Sequence, residues 1–369
     1  MLKRNLKKEK KQNLNYNIMK SNKLRLLVIF LLLATGSCND PKTVVTDIVN
    51  PDGSILRKLE IRNSENNLTV SNTPIPYDST WIIRDSVEIS PKGDTTWVRR
   101  AQKLFRGAEE ISKMYRADSS FNKHVPRSVE FHKKFRWFNT EYSFSEILDK
   151  KLIAHGYPVS DFLNTEELKW FYSPDNLNQE KLNGPDSLKF RAFGDTVKKK
   201  IERWQVKSVV SELIYKFVDL SSRQGKPAFS IDSLKKHEND FCRIINSNAD
   251  KFDSIWTDSI IGRAMIGEKK VFEFKSDIDS ALKTVTDKFF VDFREYTLKT
   301  LMPGKLTSAT GMIDSSGMVI WPVKSDYFLT QPYVMKAESK ILNRWAWILS
   351  GLFLLFVLTG ILFRKSRKG

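Results

Sequence analysis

The sequence predicts an α+β fold: an antiparallel β-sheet or partial barrel built from both ends of an ectodomain, with an inserted helical block and a C-terminal transmembrane helix. Short apolar segments separated by Pro- and Gly-containing turns lie toward both ends of the chain. Apolar residues recur at three- to five-residue steps in its middle. A run of 19 uncharged residues near the C-terminus adds the membrane helix.

The charge of the chain is concentrated at its termini. The chain has 369 residues, 41% of them hydrophobic, and a formal net charge of +18. Residues 1 to 37 hold nine Lys or Arg and one Glu, and residues 364 to 369 hold four more cations. Basic residues beside apolar runs orient membrane segments. We therefore expect membrane lipid as a partner, with an envelope protein as the alternative, and no nucleic acid.

The first apolar run, Leu24 to Thr35, is too short to span a membrane. As a helix it would be about 18 Å long, against about 30 Å of hydrocarbon. Lys20 and Lys23 precede it and small residues follow it, which is the pattern of a secretory signal. Residues 1–37 are interpreted as an N-terminal extension and a signal peptide, with translation starting at Met1 or Met19.

The residues Thr35-Gly36-Ser37-Cys38 resemble the lipobox of bacterial lipoprotein precursors, although Thr35 stands where an aliphatic residue is usual. The resemblance implies cleavage before Cys38 and acylation of its thiol, as by palmitate. The alternative is an uncleaved signal anchor that contains a cysteine. Either reading places residues 39–343 outside the cytoplasm, and a lipid at Cys38 would hold the first strand near the bilayer.

The second apolar run, Trp345 to Phe363, is long enough to span a bilayer. Trp345 and Trp347 lie where an interfacial aromatic belt is expected, and Arg364 and Lys365 follow the run. We predict a transmembrane helix over residues 343–363 and a basic cytoplasmic tail over 364–369. A spanning helix is typical of the bacterial inner membrane, which places the ectodomain in the periplasm.

The N-terminal part of the ectodomain, residues 38–144, is predicted to be rich in β-strands. Turn residues at 50–53 and 91–94 each separate two strand-like segments, so we predict two hairpins. A short helix is expected over residues 108–114. Residues 128–144 are predicted to form one long aromatic strand, whose apolar face switches near Trp137 because of a bulge or because both faces are covered.

Residues 145–288 are predicted to be a helical insertion, with the clearest helices over 186–220 and 230–246. Residues 289–342 return to strands and include a hairpin of 306–313 with 318–323 around the turn 314–317. Strands need partners, and helices separate the two β-rich parts in sequence. We therefore expect strands from both ends of the ectodomain to share one sheet.

Part of the second β-rich region resembles the terminal hairpin of LppM-like membrane-anchored lipoproteins. The matching positions are Pro303, Gly304, Lys305, Ser308, Gly311 and Trp321. The resemblance covers residues 302–323 and the membrane anchors. It implies a compact β-rich fold with a lipid-binding cavity, followed by a single membrane helix. The long helical insertion departs from that compact pattern, and no functional residue is carried over.

The sequence contains no recognisable motif of a catalytic or metal site. None of the four histidines, His124, His132, His155 and His237, pairs with another at ligand spacing, and phosphate loops and nucleophile motifs are missing. We therefore expect no catalytic residue, no metal and no cofactor. Cys242 lies in a helical pattern and is interpreted as a small buried apolar residue.

Asp followed by Ser or Thr and then by an apolar residue or Thr occurs nine times. This resembles the O-glycosylation acceptor pattern of exported Bacteroidota proteins. The alternative is turn and capping chemistry, for which Asp-Ser and Asp-Thr are well suited. The candidate acceptors are Ser79, Ser86, Thr95, Ser187, Thr196, Ser233, Ser254, Ser259 and Ser280.

Three functions stay open at this point. The first is a non-enzymatic inner-membrane lipoprotein whose ectodomain binds a lipid or hydrophobic ligand at the membrane surface. The second is a scaffold or accessory subunit of a cell-envelope complex. An exposed apolar helix face would favour this function. The third is an envelope hydrolase with a dispersed active site, which would show clustered groups of perturbed pKa in a cleft.

Overall fold

The protein is described by a computed structural model that covers residues 42–149, 152–173, 185–223, 229–247 and 260–366. The fold is α+β, as the sequence predicts, with antiparallel pairing dominant in two sheets and one long apolar helix at the C-terminal end. The predicted signal peptide and Cys38 lie outside the described residues.

The described part of the chain contains eleven strands and nine α-helices. The strands are β1 Lys42–Val49, β2 Ile55–Asn63, β3 Ile82–Ile89, β4 Thr95–Phe105, β5 Arg127–Phe135, β6 Asn139–Leu148, β7 Tyr296–Leu301, β8 Lys305–Ala309, β9 Met312–Ile313, β10 Val319–Val323 and β11 Tyr333–Leu342. The helices are α1 Ala108–Arg116, α2 Thr165–Phe171, α3 Pro185–Arg223, α4 Ile231–Lys235, α5 Glu238–Ser247, α6 Ile260–Ile266, α7 Glu268–Val271, α8 Lys275–Phe289 and α9 Arg344–Ser366.

Strands from the two β-rich parts of the sequence pair with one another, as expected, but they form two sheets instead of one. The seven-stranded sheet has the order β3-β4-β2-β1-β7-β10-β9, and the four-stranded sheet has the order β5-β6-β11-β8. Only the contact between β1 and β7 joins strands in parallel among these pairs. The inward faces of the two sheets bury apolar side chains such as Leu59, Phe144 and Leu298 in one core.

The three predicted turns have the same geometry. In each, the residue before the loop donates its N–H to the carbonyl of the residue four positions later: Asn50 to Ser54, Ser90 to Asp94 and Asp314 to Met318, all at 2.9 Å. Each three-residue loop ends in a glycine with positive φ, which a side chain would disfavour. The turn chemistry therefore places all three turns correctly.

The prediction of one strand over residues 128–144 is wrong. The segment forms two strands, β5 and β6, which pair along their length and are joined by a tight turn at 136–138. Arg136 donates its N–H to the carbonyl of Asn139 at 2.8 Å and closes this turn. The switch in the apolar face near Trp137 is caused by the chain reversal, and not by a bulge.

The predicted hairpin of 306–313 with 318–323 is only partly correct. Its second half is present, since β9 pairs with β10 across the turn that ends at Gly317. The first half, β8, leaves the seven-stranded sheet and pairs with β11 in the other sheet. Residues 302–323 thus connect the two sheets instead of forming one hairpin.

The helical block is built around α3, which is 39 residues long. Asn164 caps α2 by accepting from the N–H groups of Glu166 and Glu167, and the Glu167 carboxylate accepts from Lys200 of α3 at 2.7 Å. The helix expected over 230–246 is divided into α4 and α5. Helix α8 packs along α3 and leads the chain back to the strands.

Strand β7 of the seven-stranded sheet and strand β11 of the four-stranded sheet run in the same direction. Tyr333 donates to the carbonyl of Pro322, which pairs with Thr297 of β7, and Ser339 donates to the carbonyl of Pro303. The two contacts are six positions apart along β11, from Tyr333 to Ser339, and six positions apart from Thr297 to Pro303. Strands β7 and β11 are therefore aligned. Strand β1 runs parallel to β7 and therefore begins at the end remote from α9. At about 3.3 Å per residue, the ten residues of β11 put this remote end about 30 Å from α9.

Candidate functional site

The junction between the four-stranded sheet and α9 is one residue long. Asn343 follows β11 directly, and α9 begins at Arg344. The Asn343 side chain donates to the carbonyls of Arg136 at 2.7 Å and Trp137 at 3.3 Å and accepts from Thr140 at 3.1 Å. Its backbone N–H donates to the carbonyl of Phe138 at 3.0 Å. The β5–β6 turn is therefore tied to the start of the helix.

Five aromatic side chains surround this junction, and we call them the aromatic collar. They are Phe135, Trp137, Phe138, Trp345 and Trp347. Phe135 stacks on Trp345 with ring centroids 6.3 Å apart, Trp137 meets Trp345 edge-on at 5.3 Å, and Phe138 contacts Trp347 at 4.4 Å. The Trp137 indole also donates to the Ser350 hydroxyl at 2.9 Å, so the turn reaches along the helix.

The collar is open to its surroundings although its rings touch one another. Its five side chains are between 40% and 57% exposed. Trp rings combine an apolar body with a polar N–H, a combination that suits the boundary between lipid and water. The collar can therefore contact lipid headgroups and the first carbons of acyl chains.

Helix α9 is long and apolar enough to cross a membrane by length and composition. Residues Arg344–Arg364 form a 21-residue candidate span with a mean hydropathy of 2.4, of which 6% is buried against the rest of the protein. Trp345 and Trp347 lie in its first turn and Arg364 is exposed near its other end, and the interfacial aromatic belt stays a prediction. The side chain of Lys365 lies outside the described residues.

A cluster of charged groups is buried between the two sheets. Arg57 of β2 donates to both carboxylate oxygens of Asp47, at 2.8 and 2.6 Å, and to Glu146 of β6 at 2.5 Å. It also donates to the Tyr115 hydroxyl at 2.6 Å, which in turn donates to Glu146 at 2.8 Å. Asp47, Arg57 and Glu146 have no exposed surface. The cluster links both sheets and α1.

The electrostatics of this cluster follow from its composition. Arg57 faces the carboxylates of Asp47 and Glu146, and the buried guanidinium of Arg127 lies 4.2 Å from the Tyr115 ring centroid and interacts electrostatically with Glu146. Burial raises the pKa of Asp47 against the opposing effect of Arg57. Burial alone would lower the pKa of Arg57, but the neighbouring carboxylates outweigh it and raise this pKa well above its ordinary value. Burial likewise raises the pKa of Tyr115. The groups are enclosed in the core, so their arrangement serves the fold.

Other cavities in the described part of the chain lie away from the collar. An open cleft of about 640 Å³ lies between the end of β4 and α1, and its lining includes Tyr77, Lys103 and Met114. An apolar pocket of about 150 Å³ lies between α3, α5 and α8, and its lining includes Val206, Val209, Ile245, Phe289 and Phe290. An open groove of about 360 Å³ crosses the outer face of the seven-stranded sheet, where Lys58, Arg84 and Arg100 accompany Glu60. The cavity that the LppM-like resemblance implies would lie in the β-rich part, whereas this apolar pocket lies in the helical block.

The structure places six of the nine candidate glycan acceptors, and five of these are exposed. The exposed ones are Ser79, Thr95, Thr196, Ser233 and Ser280, whereas Ser86 is half-buried on β3. The side chains of Ser187, Ser254 and Ser259 lie outside the described residues. The turn explanation fits Asp78, which accepts from the N–H of Thr80 at 2.9 Å, but Asp195 and Asp279 lie inside helices. Glycosylation stays a prediction.

Sequence reasoning treats the aromatic segment 128–144 mainly as core and misses the buried cluster. The segment is divided: Tyr142 and Phe144 are core residues, whereas Phe135, Trp137 and Phe138 belong to the collar. Three aromatics within a turn are a signal for the collar, because turns lie at the surface. Nothing local announces the pairing of Arg57 with Glu146, which are 89 positions apart.

Comparisons with known proteins give little support for assigning this chain. No protein-family model matches it, and no curated protein does. A similarity is found to the folded domain of LppM from Mycobacterium tuberculosis, solved by NMR, with a TM-score of 0.26 and 6% sequence identity. It covers 83% of this chain and 92% of that domain. This weak structural resemblance carries no functional conclusion.

Proposed function

We propose that this protein is a non-enzymatic, membrane-anchored lipoprotein whose periplasmic ectodomain binds lipid at the surface of the inner membrane. The observation that carries the proposal is the aromatic collar, tied to α9 through Asn343. Five half-exposed aromatic rings surround the start of a helix that can span a membrane. In this proposal the lipid contacts the collar from outside and does not enter an internal cavity.

The sizes of the cavities support this form of the proposal. Pockets that enclose small molecules usually measure about 300–1,000 Å³. The apolar pocket in the helical block, at about 150 Å³, is large enough for one aromatic ring or a short aliphatic group. It is too small for a phospholipid. The larger groove and cleft, of about 360 and 640 Å³, are open and lined by charged side chains, so lipid binding is assigned to the collar.

The experiment is photocrosslinking of the full-length chain in bilayers that contain a phospholipid with a photoreactive group near its headgroup. We expect adducts on the peptide that contains residues 135–138 as well as on α9. The variant Phe135→Ser/Trp137→Ser/Phe138→Ser should lose the first adduct and keep the second. Adducts confined to α9 in the unaltered chain would contradict the proposal.

A lipid anchor at Cys38 would restrict the orientation of the ectodomain. Four residues lead from Cys38 to Lys42 and span at most about 14 Å when extended. Strand β1 begins at the remote end, about 30 Å from α9 by the rise of the strands. An acyl chain in the same membrane therefore requires the ectodomain to lean toward the surface. The mass of the mature chain, beginning at Cys38 with acyl groups or retaining its N-terminus, tests the anchor itself.

The accessory-subunit function is the second candidate, and the apolar pocket favours it. Phe290 at the edge of this pocket is 57% exposed, and Phe272 in the same block is 73% exposed. A pocket of this size fits one side chain of a partner protein better than a lipid. A photoreactive amino acid in place of Phe290 in native membranes should then capture one defined protein. Capture of lipid, or no capture at all, would count against this function.

The hydrolase function receives no support from the buried Arg57 cluster. Asp47, Arg57 and Tyr115 are buried between the sheets. None of them lines the pocket or the groove described above. A catalytic group must reach its substrate, so this cluster supports a structural role, and the proposal keeps the protein non-enzymatic.

A further inference from the structure

Strand β3 forms a free edge of the seven-stranded sheet. It pairs with β4 over all eight of its residues without a bulge, and its other side has no neighbouring strand in the described part of the chain. The sequence of β3, IIRDSVEI, contains neither Pro nor Lys. Soluble proteins usually protect such edges with Pro, with a bulge or with charged side chains, above all Lys, because an open edge accepts another strand. The charges of β3 are of both signs, Arg84, Asp85 and Glu88.

The side chains of this edge are also unusual. Ile82, Ile83, Val87 and Ile89 are between 38% and 71% exposed. Arg84 makes no ion pair within the described residues, whereas Glu88 lies beside Arg62 and Arg100 with nearly half of its side chain exposed. The edge therefore presents apolar side chains, an unpaired cation and an accessible carboxylate.

We propose that β3 pairs antiparallel with β3 of a second copy of this chain, about a two-fold axis through Ser86. The proposal goes beyond lipid binding and assigns the edge to self-association.

The hydrogen-bonding pattern restricts the register of this pairing. Ser90 exchanges its backbone bond with Asp94 at the turn, and bonded pairs alternate along antiparallel strands. Ser86 and Glu88 therefore direct their backbone groups toward β4. Those of Ile83, Asp85, Val87 and Ile89 are left at the free edge. A second β3 must place these odd-numbered residues opposite one another. This excludes the registers in which an odd-numbered residue would face an even-numbered one.

Charge selects one register from those that remain. An axis through Arg84, Asp85 or Glu88 would place like charges directly opposite each other. An axis through Ser86 places Arg84 opposite Glu88 of the other copy, and Ile83 opposite its Ile89. Both contacts occur twice because of the symmetry. An axis through Val87 forms neither pair, so Ser86 is the best centre.

The direction of the two membrane helices is compatible with this pairing. Three strand-to-strand steps separate β1 from β3, and at about 20–25° per step the sheet twists by roughly 60–75°. A two-fold axis perpendicular to the sheet at β3 thus lies close to the direction of β1, and both copies of α9 leave on the same side. The dimer therefore holds the ectodomain upright and is an alternative to the leaning arrangement that an acylated Cys38 requires. An interface of one strand is small. Confinement of both copies to one membrane raises their effective concentration and compensates for this.

The test is disulfide trapping of full-length protein in membranes. At a non-hydrogen-bonded antiparallel pair the Cα atoms are about 4.5 Å apart, within the range of a disulfide. We expect the variant Ser86→Cys to give a covalent dimer under mild oxidation. The matched control is Ser90→Cys, whose two copies would lie about 26 Å apart in this register and should stay monomeric. The unaltered chain controls for Cys38 and Cys242.

The charge part of the proposal has its own variant. Arg84→Glu, added to Ser86→Cys, should reduce the trapped dimer about tenfold because like charges then face each other twice. Lys92→Glu makes the same charge change at the β3–β4 turn and should leave trapping unchanged. Equal trapping at positions 86 and 90, or no effect of Arg84→Glu, would overturn the proposal. So would a glycan on Ser86 in the native chain, since it would block the axis.

Discussion

The four-stranded sheet carries an aromatic cluster at each end, and the two clusters have opposite surroundings. At the remote end Phe171, Tyr327 and Tyr333 are at most 7% exposed, and Tyr327 lies 5.0 Å from each of the other two rings. At the end beside α9 the collar rings are 40% exposed or more. The remote cluster joins the helical block to the sheet, whereas the collar remains open. Similar residues thus form a core at one end and an exposed surface at the other.

The largest effect is expected for the buried Arg57 cluster, which lies between the two sheets. Arg57→Met removes the buried guanidinium that donates to both Asp47 and Glu146, so we expect a loss of about 3–5 kcal/mol in the free energy of unfolding. Replacing all three groups, as Arg57→Met/Asp47→Leu/Glu146→Leu, should recover most of the loss. Arg100→Met on the outer face of the same sheet is the control and should change little. Chemical denaturation in detergent measures all three, and equal effects of Arg57→Met and Arg100→Met would contradict the structure.

The same cluster predicts a dependence on pH. The pKa of Asp47 is raised in the folded state, so folding favours its protonated form. Its contribution to stability is present at low pH and is lost as the pH rises through this raised pKa. Asp47→Asn should flatten that part of the curve of stability against pH. An unchanged curve in this variant would show that another group titrates there.

The two aromatic clusters themselves give the next contrast. Phe171→Ala removes a ring from the buried cluster and should cost about 3–5 kcal/mol in the free energy of unfolding. Phe135→Ala removes a ring from the collar and should cost less than about 0.5 kcal/mol in detergent. Denaturation curves of both variants measure the difference. A similar loss for both would mean that the collar is part of the core.

The hydrogen bonds of Asn343 give a smaller and local effect. Asn343→Ala removes three side-chain bonds to the β5–β6 turn, so we expect local stability to fall by about 1–2 kcal/mol. Hydrogen exchange should become faster in residues 135–142 and stay unchanged in α2. Asn66→Ala, at an exposed loop position, is the control. Unchanged exchange at the turn would show that the aromatic contacts alone hold the junction.

The smallest effect concerns Cys242 in the helical block. Burial raises the pKa of its thiol to about 11, and the residue packs against the core. Little thiolate is present at pH 8, so alkylation should be roughly 10²-fold slower than in the unfolded chain. The rate should rise with pH toward this pKa. Fast alkylation at pH 8 would show that the block opens readily.

Local patterns predict more of this fold than of its site. The hairpins at Gly53, Gly93 and Gly317 follow from turn chemistry, and α3 follows from its apolar spacing. The reversal at Trp137 is harder to predict, since its turn lacks Gly and Pro. The switch of the apolar face marks the position but fits a bulge equally well. The Arg57 cluster and the transfer of β8 to the other sheet depend on distant strand pairings, which a local pattern does not contain.

The depth of the collar in a bilayer tests lipid binding by the collar most directly. A nitroxide on Arg136→Cys, at the tip of the β5–β6 turn, should be relaxed by oxygen more than by a water-soluble nickel complex. The control is Lys92→Cys, at the tip of the β3–β4 turn, where the nickel complex should dominate. This pair of results places the collar in the membrane interface, as proposed. Equal exposure of both positions to water would contradict lipid binding by the collar.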